Sequence, residues 1–362
     1  MPLVYPSPCL LCFVTPNKSD ASMLPSALPE LIAFAVLGFL LLGFLLGPRI
    51  RLDSRVTWGS VPAVRNLKDL DDWLTTSEAR VPSLRAGTEA RIEWTNPQQP
   101  GRTPIAFLYI HGFSASWQET APVTSRLGQR FGANVLQMRV AGHGGSPGDM
   151  LVDANEWLQS VADAWEVAAQ LGERIVIVAT SNGAPLALWL KQQPGVAERL
   201  GALLFIAPNF RLRNPAGRML TWPWADVWAG WVAPKQIHWE LNTDLERLVW
   251  TTGYSIKAVQ QCQALLDWVQ RIRYDNEETP LALMYVAADP TVHAESAIAV
   301  FNQWGRALHP PVSKELIEIK TDAPEHVFVG DAKAPERTDW VVDRLRHFLL
   351  AHVIADDAQS EN

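Results

Sequence analysis

Six short apolar runs of strand length recur along the chain, at residues 105–110 (IAFLYI), 133–139 (ANVLQMR), 175–178 (IVIV), 202–207 (ALLFIA), 281–287 (LALMYVA) and 315–319 (ELIEI). Most are apolar without a break, as expected of strands buried on both faces of a parallel sheet and not of strands with one wet face. Between them lie segments of helical spacing. Residues 155–171 carry Trp157, Val161, Trp165 and Ala168 on one stripe, ended by Gly172, and 258–272 carry Val259, Cys262, Leu265, Leu266 and Val269. Residues 67–74 (LKDLDDWL), 295–304 and 340–354 also read as helix, and 90–94 alternates like an edge strand. Strands alternating with helices predict an α/β fold: a mostly parallel central sheet covered by helices on both faces.

Two segments break the rhythm. Residues 31–47 (LIAFAVLGFLLLGFLLG) hold no charge or polar side chain and are closed by Pro48 and Arg49. Seventeen such residues lie at the short end of what spans a bilayer. The run exceeds the apolar core of a signal peptide, no Ala-x-Ala site follows, and Arg49, Arg51 and Arg55 come directly after it, so an uncleaved single-pass anchor is expected. Only Lys18 precedes the run, offset by Asp20 and Glu30, which places the following domain on the cytoplasmic side. The second break is 209–252, which carries six tryptophans (Trp222, Trp224, Trp228, Trp231, Trp239 and Trp250) with prolines at 215, 223 and 234. It reads as an aromatic cap over a site, with Trp222, Trp224 and Trp228 expected to meet the substrate; the same rings could instead pack the cap's own small core.

The expected organisation is therefore a disordered extension at 1–30, within which Met23 is an alternative start, then an anchor at 31–47 and an arm at 48–101. A core at 102–208 and 253–355 is interrupted by the cap at 209–252, and a disordered tail occupies 356–362. The 362 residues carry a net charge of −7 with no long basic run, which argues against a nucleic-acid partner. Three cysteines make no disulfide framework, and the C-x-x-C of Cys9 and Cys12 lacks the strand-helix unit a redox motif needs. No metal-ligand spacing is present, and the chemistry below needs neither metal nor cofactor. Nothing in the pattern reports on oligomeric state.

The chemistry concentrates where strands end. In 174–189 (RIVIVATSNGAPLALW) a buried strand turns into a helix within four small or polar residues, with Ser181 at the apex. Such an elbow holds a serine Oγ clear of the sheet, at the positive end of the next helix. Gly183 follows at plus two, and Ala179 stands at minus two, where A-x-S-x-G departs from G-x-S-x-G. The strand at 105–110 runs into His111-Gly112-Phe113, whose backbone N–H groups would point into a cleft at the carboxyl edge of the sheet. The glycine-dense loop 140–147 (VAGHGGSP) is not a nucleotide loop, and His143 within it reads as structural. Asp289 lies just past the strand at 281–287, and His326 lies in the loop 322–328 (DAPEHVF). Asp322 competes with Asp289 but stands only four residues before His326. Glu119 reads as structural and Glu325 as a solvated loop charge.

Serine on an elbow, then aspartate, then histidine, together with IHGFSAS, MRVAGHGGSPG, ATSNGAPLALW, VAADPTV and PEHVF, resembles the α/β-hydrolase superfamily, most closely its esterase and monoacylglycerol-lipase-like branch. The resemblance covers residue 105 to the last helix. It implies Ser181 as nucleophile, His326 as general base and Asp289 as its orienting partner, with the amides of Phe113 and Asn182 as oxyanion donors. It implies hydrolysis of carboxylic esters, with an ester or lipid-like substrate as partner beside the membrane. Acyl transfer to another acceptor would use the same residues, and an inactive, membrane-tethered binding protein remains compatible with the substituted elbow glycine.

Overall fold

The computed structural model describes residues 24–354 apart from 82, 233 and 235; of the disordered extension expected at 1–30, residues 1–23 fall outside the described residues while 24–30 are helical, and the tail expected at 356–362 also falls outside them. The chain divides into two units, Met1–Pro48 and Arg49–Asn362. In the first, helix α1 (Leu24–Leu45) contains most of the expected apolar run and starts seven residues before it. Its 22 residues are about 33 Å long, enough for the ~30 Å hydrocarbon core of a bilayer. Within it Leu28–Leu45 is long and apolar enough to cross a membrane, none of it is buried, and a signal sequence near an N-terminus shares these properties.

The second unit begins with α2 (Asp69–Glu78), β1 (Arg91–Glu93), β2 (Thr103–Ile110), α3 (Val123–Phe131) and β3 (Asn134–Gln137). There follow α4 (Ala154–Leu171), β4 (Gly172–Thr180), α5 (Gly183–Lys191) and β5 (Leu200–Ile206). Residues 209–252 then supply a 3-10 helix (Pro215–Thr221), α6 (Ala225–Val232), β6 (Gln236–Ile237) and α7 (Asp244–Val249). The chain closes with β7 (Tyr254–Ser255), α8 (Ile256–Val269), β8 (Leu281–Tyr285), α9 (Ala294–Gln303), β9 (Lys314–Glu318) and α10 (Thr338–Leu349). The six strands read from apolar runs form one seven-stranded sheet with the edge strand β1, in the order β1-β3-β2-β4-β5-β8-β9. Only β1 is antiparallel.

The period of two along each strand divides the core. Ala106, Leu108, Ile110, Ile175, Ile177 and Ala179 face a layer built from α4, α5 and α8. Phe107, Tyr109, Val176, Val178, Leu204 and Ile206 face the opposite layer, which α3 and α10 cover. Helix α4 starts at a capping box, in which Asp153 accepts from the backbone of Glu156 and the Glu156 carboxylate returns to the Asp153 N–H. Helix α3 was not singled out by periodicity, because its nine residues offer only Val123, Leu127 and the partly buried Phe131 to the sheet. The expected terminal helix at 340–354 widens after Leu349 into a π-type turn over Leu350–Ile354.

Candidate active site

Ser181 sits between the end of β4 and the start of α5 with φ 50°, a left-handed conformation that costs a non-glycine residue of order 1 kcal/mol or more. Neighbouring backbone holds it there. The Ser181 N–H donates to the Ile206 carbonyl (3.0 Å), and the Ser181 carbonyl accepts from Asn209 (2.9 Å) and Ala184 (3.2 Å). A Cβ at Gly183 would lie 2.1 Å from the Ile110 carbonyl oxygen, so only glycine lets α5 start this close to β2. Ala179, at the other side of the elbow, is fully buried and joins the apolar layer under α5; its methyl group fills space there.

The register of the sheet brings the ends of β4, β5 and β8 to one edge, and the loops beyond them carry the polar groups. His326 Nε2 lies 2.8 Å from Ser181 Oγ, and His326 Nδ1 lies 2.7 Å from Asp289 Oδ2. The other oxygen of Asp289 accepts from the N–H groups of Thr291 (2.7 Å) and Val292 (2.9 Å), which fixes the carboxylate in a nearly fully buried position. Asp322 is exposed. Glu325, expected as a solvated charge, instead pairs with the Arg337 guanidinium.

The His111-Gly112-Phe113 strand end is oriented by groups behind it. The Val140 N–H donates to His111 Nε2 (2.9 Å), so the proton is on Nδ1, which donates to the Gly112 carbonyl (2.9 Å). Burial, with the neighbouring His143, holds the His111 pKa well below its ordinary value and keeps the ring neutral, as this pattern needs. With its carbonyl drawn away, the Gly112–Phe113 peptide turns the Phe113 N–H to the opposite side. A Cβ on Gly112 would come within 3.0 Å of Ser181 Cβ, so this backbone abuts the elbow. Neither the Phe113 nor the Asn182 amide has an acceptor among the described residues.

Glu119, expected to be structural, is buried beneath the strand end; its Oε1 accepts the Gly112 N–H and faces the Tyr109 hydroxyl (3.0 Å), which also meets Thr120 (2.8 Å) and Thr180 (3.0 Å). Burial raises its pKa to about 7, against the smaller lowering effect of the Gly112 N–H. No local signal marks a carboxyl as buried, since a lone Glu in a turn usually faces water. Cys262 behaves likewise. Its thiol donates to Asn182 Oδ1 (3.2 Å), and burial pushes its pKa up to about 12, so it stays a protonated prop for the elbow.

Above Ser181 opens a cavity of about 490 Å³, whose walls include Phe113, Leu241, Trp239, Trp250, Tyr254 and Val259. Glu325 and Lys333 stand on its polar side. The tryptophans expected to meet substrate, Trp222, Trp224 and Trp228, are not among its lining. Trp222 and Trp224 precede α6 and are exposed, and α6 itself buries Ala225 and Ala229 while Val227 and Trp231 face outward. Trp228 is half-buried, its Nε1 donating to the Pro223 carbonyl (3.0 Å). Trp239 and Trp250 take the expected place, Trp239 packing edge-on against Tyr254 at 5.1 Å. His143, expected to be structural, is buried against His111, Phe113 and Trp157. Among the described residues no group of acidic, histidine or cysteine side chains could hold a metal ion.

No protein-family profile matches the chain, and no curated protein matches it in sequence. Solved structures do. One of the metagenome-derived lipolytic enzymes LipS and LipT aligns with a TM-score of 0.56 at 18% identity, covering 74% of this chain and 100% of its own. A soluble variant of monoglyceride lipase from Saccharomyces cerevisiae, solved with a substrate analogue, aligns with a TM-score of 0.53 at 14% identity, covering 73% and 91%. The monoacylglycerol lipase of Paleococcus ferrophilus gives 0.52 at 14% identity, covering 73% and 98%. With a mostly parallel seven-stranded sheet, helices on both faces and a serine elbow after β4, the chain has the α/β-hydrolase fold.

Proposed function

We propose that this protein is a serine hydrolase that cleaves carboxylic esters, with Ser181 as nucleophile, His326 as general base and Asp289 as the group that orients and charges-balances His326. The observation that carries the reading is the hydrogen-bonded line from Ser181 Oγ through His326 to the buried Asp289, ending under a mostly apolar cavity. Ser181 Oγ attacks the ester carbonyl carbon while its proton passes to His326 Nε2. The negative carbonyl oxygen accepts from the Phe113 and Asn182 amides, donors worth roughly 100-fold or more in rate each. The tetrahedral adduct collapses, the C–O bond breaks, and His326 gives the proton to the leaving alcohol. Water, deprotonated by the same imidazole, then releases the acid and restores Ser181. Asp289 holds Nδ1–H throughout, keeping Nε2 free to accept.

The cavity volume lies in the range of small-molecule sites, roughly 300–1,000 Å³, and its aromatic wall suits an acyl chain. Helix α1 is read as an uncleaved anchor that keeps the catalytic unit at the cytoplasmic face of a membrane, and 209–252 as the cap. Labelling of the purified protein with a fluorophosphonate probe, wild type beside Ser181→Ala, tests the nucleophile: an adduct on Ser181 that the variant lacks is expected. A folded wild type that takes no label would move the reading to an inactive binding protein. Rates across p-nitrophenyl esters from acetate to laurate test the acyl preference, and a strict preference for acetate would overturn it.

A further inference from the structure

A second cleft, of about 650 Å³, lies in the unit that begins at Arg49, and it shares no lining residue with the cavity over Ser181. Four arginines line it, Arg49, Arg51, Arg218 and Arg271, against one acidic residue, Asp267. That carboxylate is already engaged, accepting from Thr221 Oγ1 (2.5 Å) and Gln263 Nε2 (2.8 Å). None of the four guanidinium groups has a hydrogen-bond or ion-pair partner among the described residues. Several other arginines meet carboxylates, Arg130 with Asp343 and Arg306 with Asp275 on the surface and Arg139 with Glu78 in a nearly buried pair. On a chain of net charge −7, four unpaired cations from three separate segments converge on one concave place. Like charges so gathered repel one another unless an anion joins them. Guanidinium, rather than ammonium, suits the forked oxygens of a phosphate.

What surrounds the cleft narrows the anion. Trp222 lines it and is 46% exposed, and the stretch that follows presents Trp224, Val227, Trp231 and Val232 to solvent, Trp231 at 80%. Exposed indoles beside cations are the composition of a surface that sits at the headgroup level of a bilayer. In sequence Arg49 comes four residues after Leu45, the last residue of α1, a tether of at most about 14 Å. We propose that this cleft binds the phosphate of an anionic phospholipid in the bilayer that α1 spans, with Arg49, Arg51, Arg218 and Arg271 holding the headgroup and Trp222 seated at the membrane interface. The proposal rests on the reading of α1 as an anchor. Because Arg218 and Trp222 belong to the same segment as Trp239 and Trp250, a bound headgroup ties the cap of the catalytic cavity to the membrane.

The test uses the full chain, purified in detergent and examined by native mass spectrometry with phosphatidylglycerol or phosphatidylcholine added, wild type beside Arg218→Gln/Arg271→Gln. Both side chains are exposed, so the double variant is expected to keep the wild-type rate on p-nitrophenyl acetate. A cation near an anionic lipid surface contributes about fivefold in binding, so the variant should lose about 25-fold of the wild-type preference for phosphatidylglycerol. Equal retention of the two lipids by the wild type, or an undiminished preference in the variant, overturns the proposal. So does displacement of phosphatidylglycerol by millimolar inorganic phosphate, which would mark a site for soluble phosphate. Carbonate extraction of membranes is read separately. Release of the chain into the supernatant overturns the anchor and the proposal with it, whereas a chain retained in the membrane with equal lipid retention loses the lipid site alone.

Discussion

Replacing Glu119 with glutamine removes the ionisable group beneath the Gly112 amide while keeping an oxygen there to accept its N–H. In the folded chain burial raises the Glu119 pKa from an ordinary 4.5 to about 7. A folded-state pKa above the unfolded one means that the native protein binds the proton more tightly. The stability this contributes is complete below pH 4.5 and is lost as pH rises through about 7. The separation corresponds to about 3 kcal/mol in all, of which roughly 2 kcal/mol falls between about pH 5 and about pH 8. Two buried histidines act the other way. The His143 pKa is lowered to about 4 and that of His111 is held well below its ordinary value, both chiefly by burial, so their contribution rises with pH as the unfolded chain gives up its protons. The wild-type curve alone therefore mixes opposed slopes, and the informative quantity is the difference between wild type and Glu119→Gln. Thermal unfolding of the two proteins followed from about pH 5 to about pH 8 should show wild type losing about 2 kcal/mol relative to the variant, a shift near 3 °C for a unit of this size. Parallel curves would refute the reasoning, because they would mean that Glu119 does not titrate in this window.

Asp289→Asn should lower kcat/KM by about 10⁴-fold with little change in KM, since an amide can hold His326 in the wrong tautomer; a loss below tenfold would remove Asp289 from the triad. Gly183→Ala should cost several kcal/mol or prevent folding, its Cβ meeting the Ile110 carbonyl at 2.1 Å, whereas Ala179→Gly should cost about 1 kcal/mol; a stable Gly183→Ala would show that α5 can move away from β2. Trp239→Ala and Trp250→Ala should raise KM for long-chain esters more than for acetate, while Trp228→Ala should leave the chain-length profile unchanged. The reverse pattern in steady-state kinetics would return the substrate to the Trp222–Trp228 side.

The contrast between Ser181 and Glu119 shows where sequence reading stops. Ser181, Asp289 and His326 were legible because each stands beside a strand end that apolar runs locate, and a parallel sheet carries all such ends to one edge whatever the intervening lengths. The strands themselves were legible for the same reason: a run such as 175–178, apolar without alternation, has no stable place except a sheet covered on both faces. The burial of Glu119, the proton on His111 Nδ1 and the thiol of Cys262 under Asn182 depend on contacts between residues distant in the chain, and no local pattern encodes them. The tryptophans make the point most sharply. Composition marked 209–252 as aromatic, but that Trp239 and Trp250 line the cavity while Trp222, Trp224 and Trp228 do not is a choice that packing made. In the same way Arg49 and Arg51 read only as charges flanking an apolar run until the fold brought Arg218 and Arg271 beside them. Local hydrophobic period is a property of neighbours in the chain, and so the sequence determined the sheet, its edge and the order of the chemistry; the protonation, the cavity wall and the arginine cleft are properties of neighbours in space, which only the tertiary structure decides.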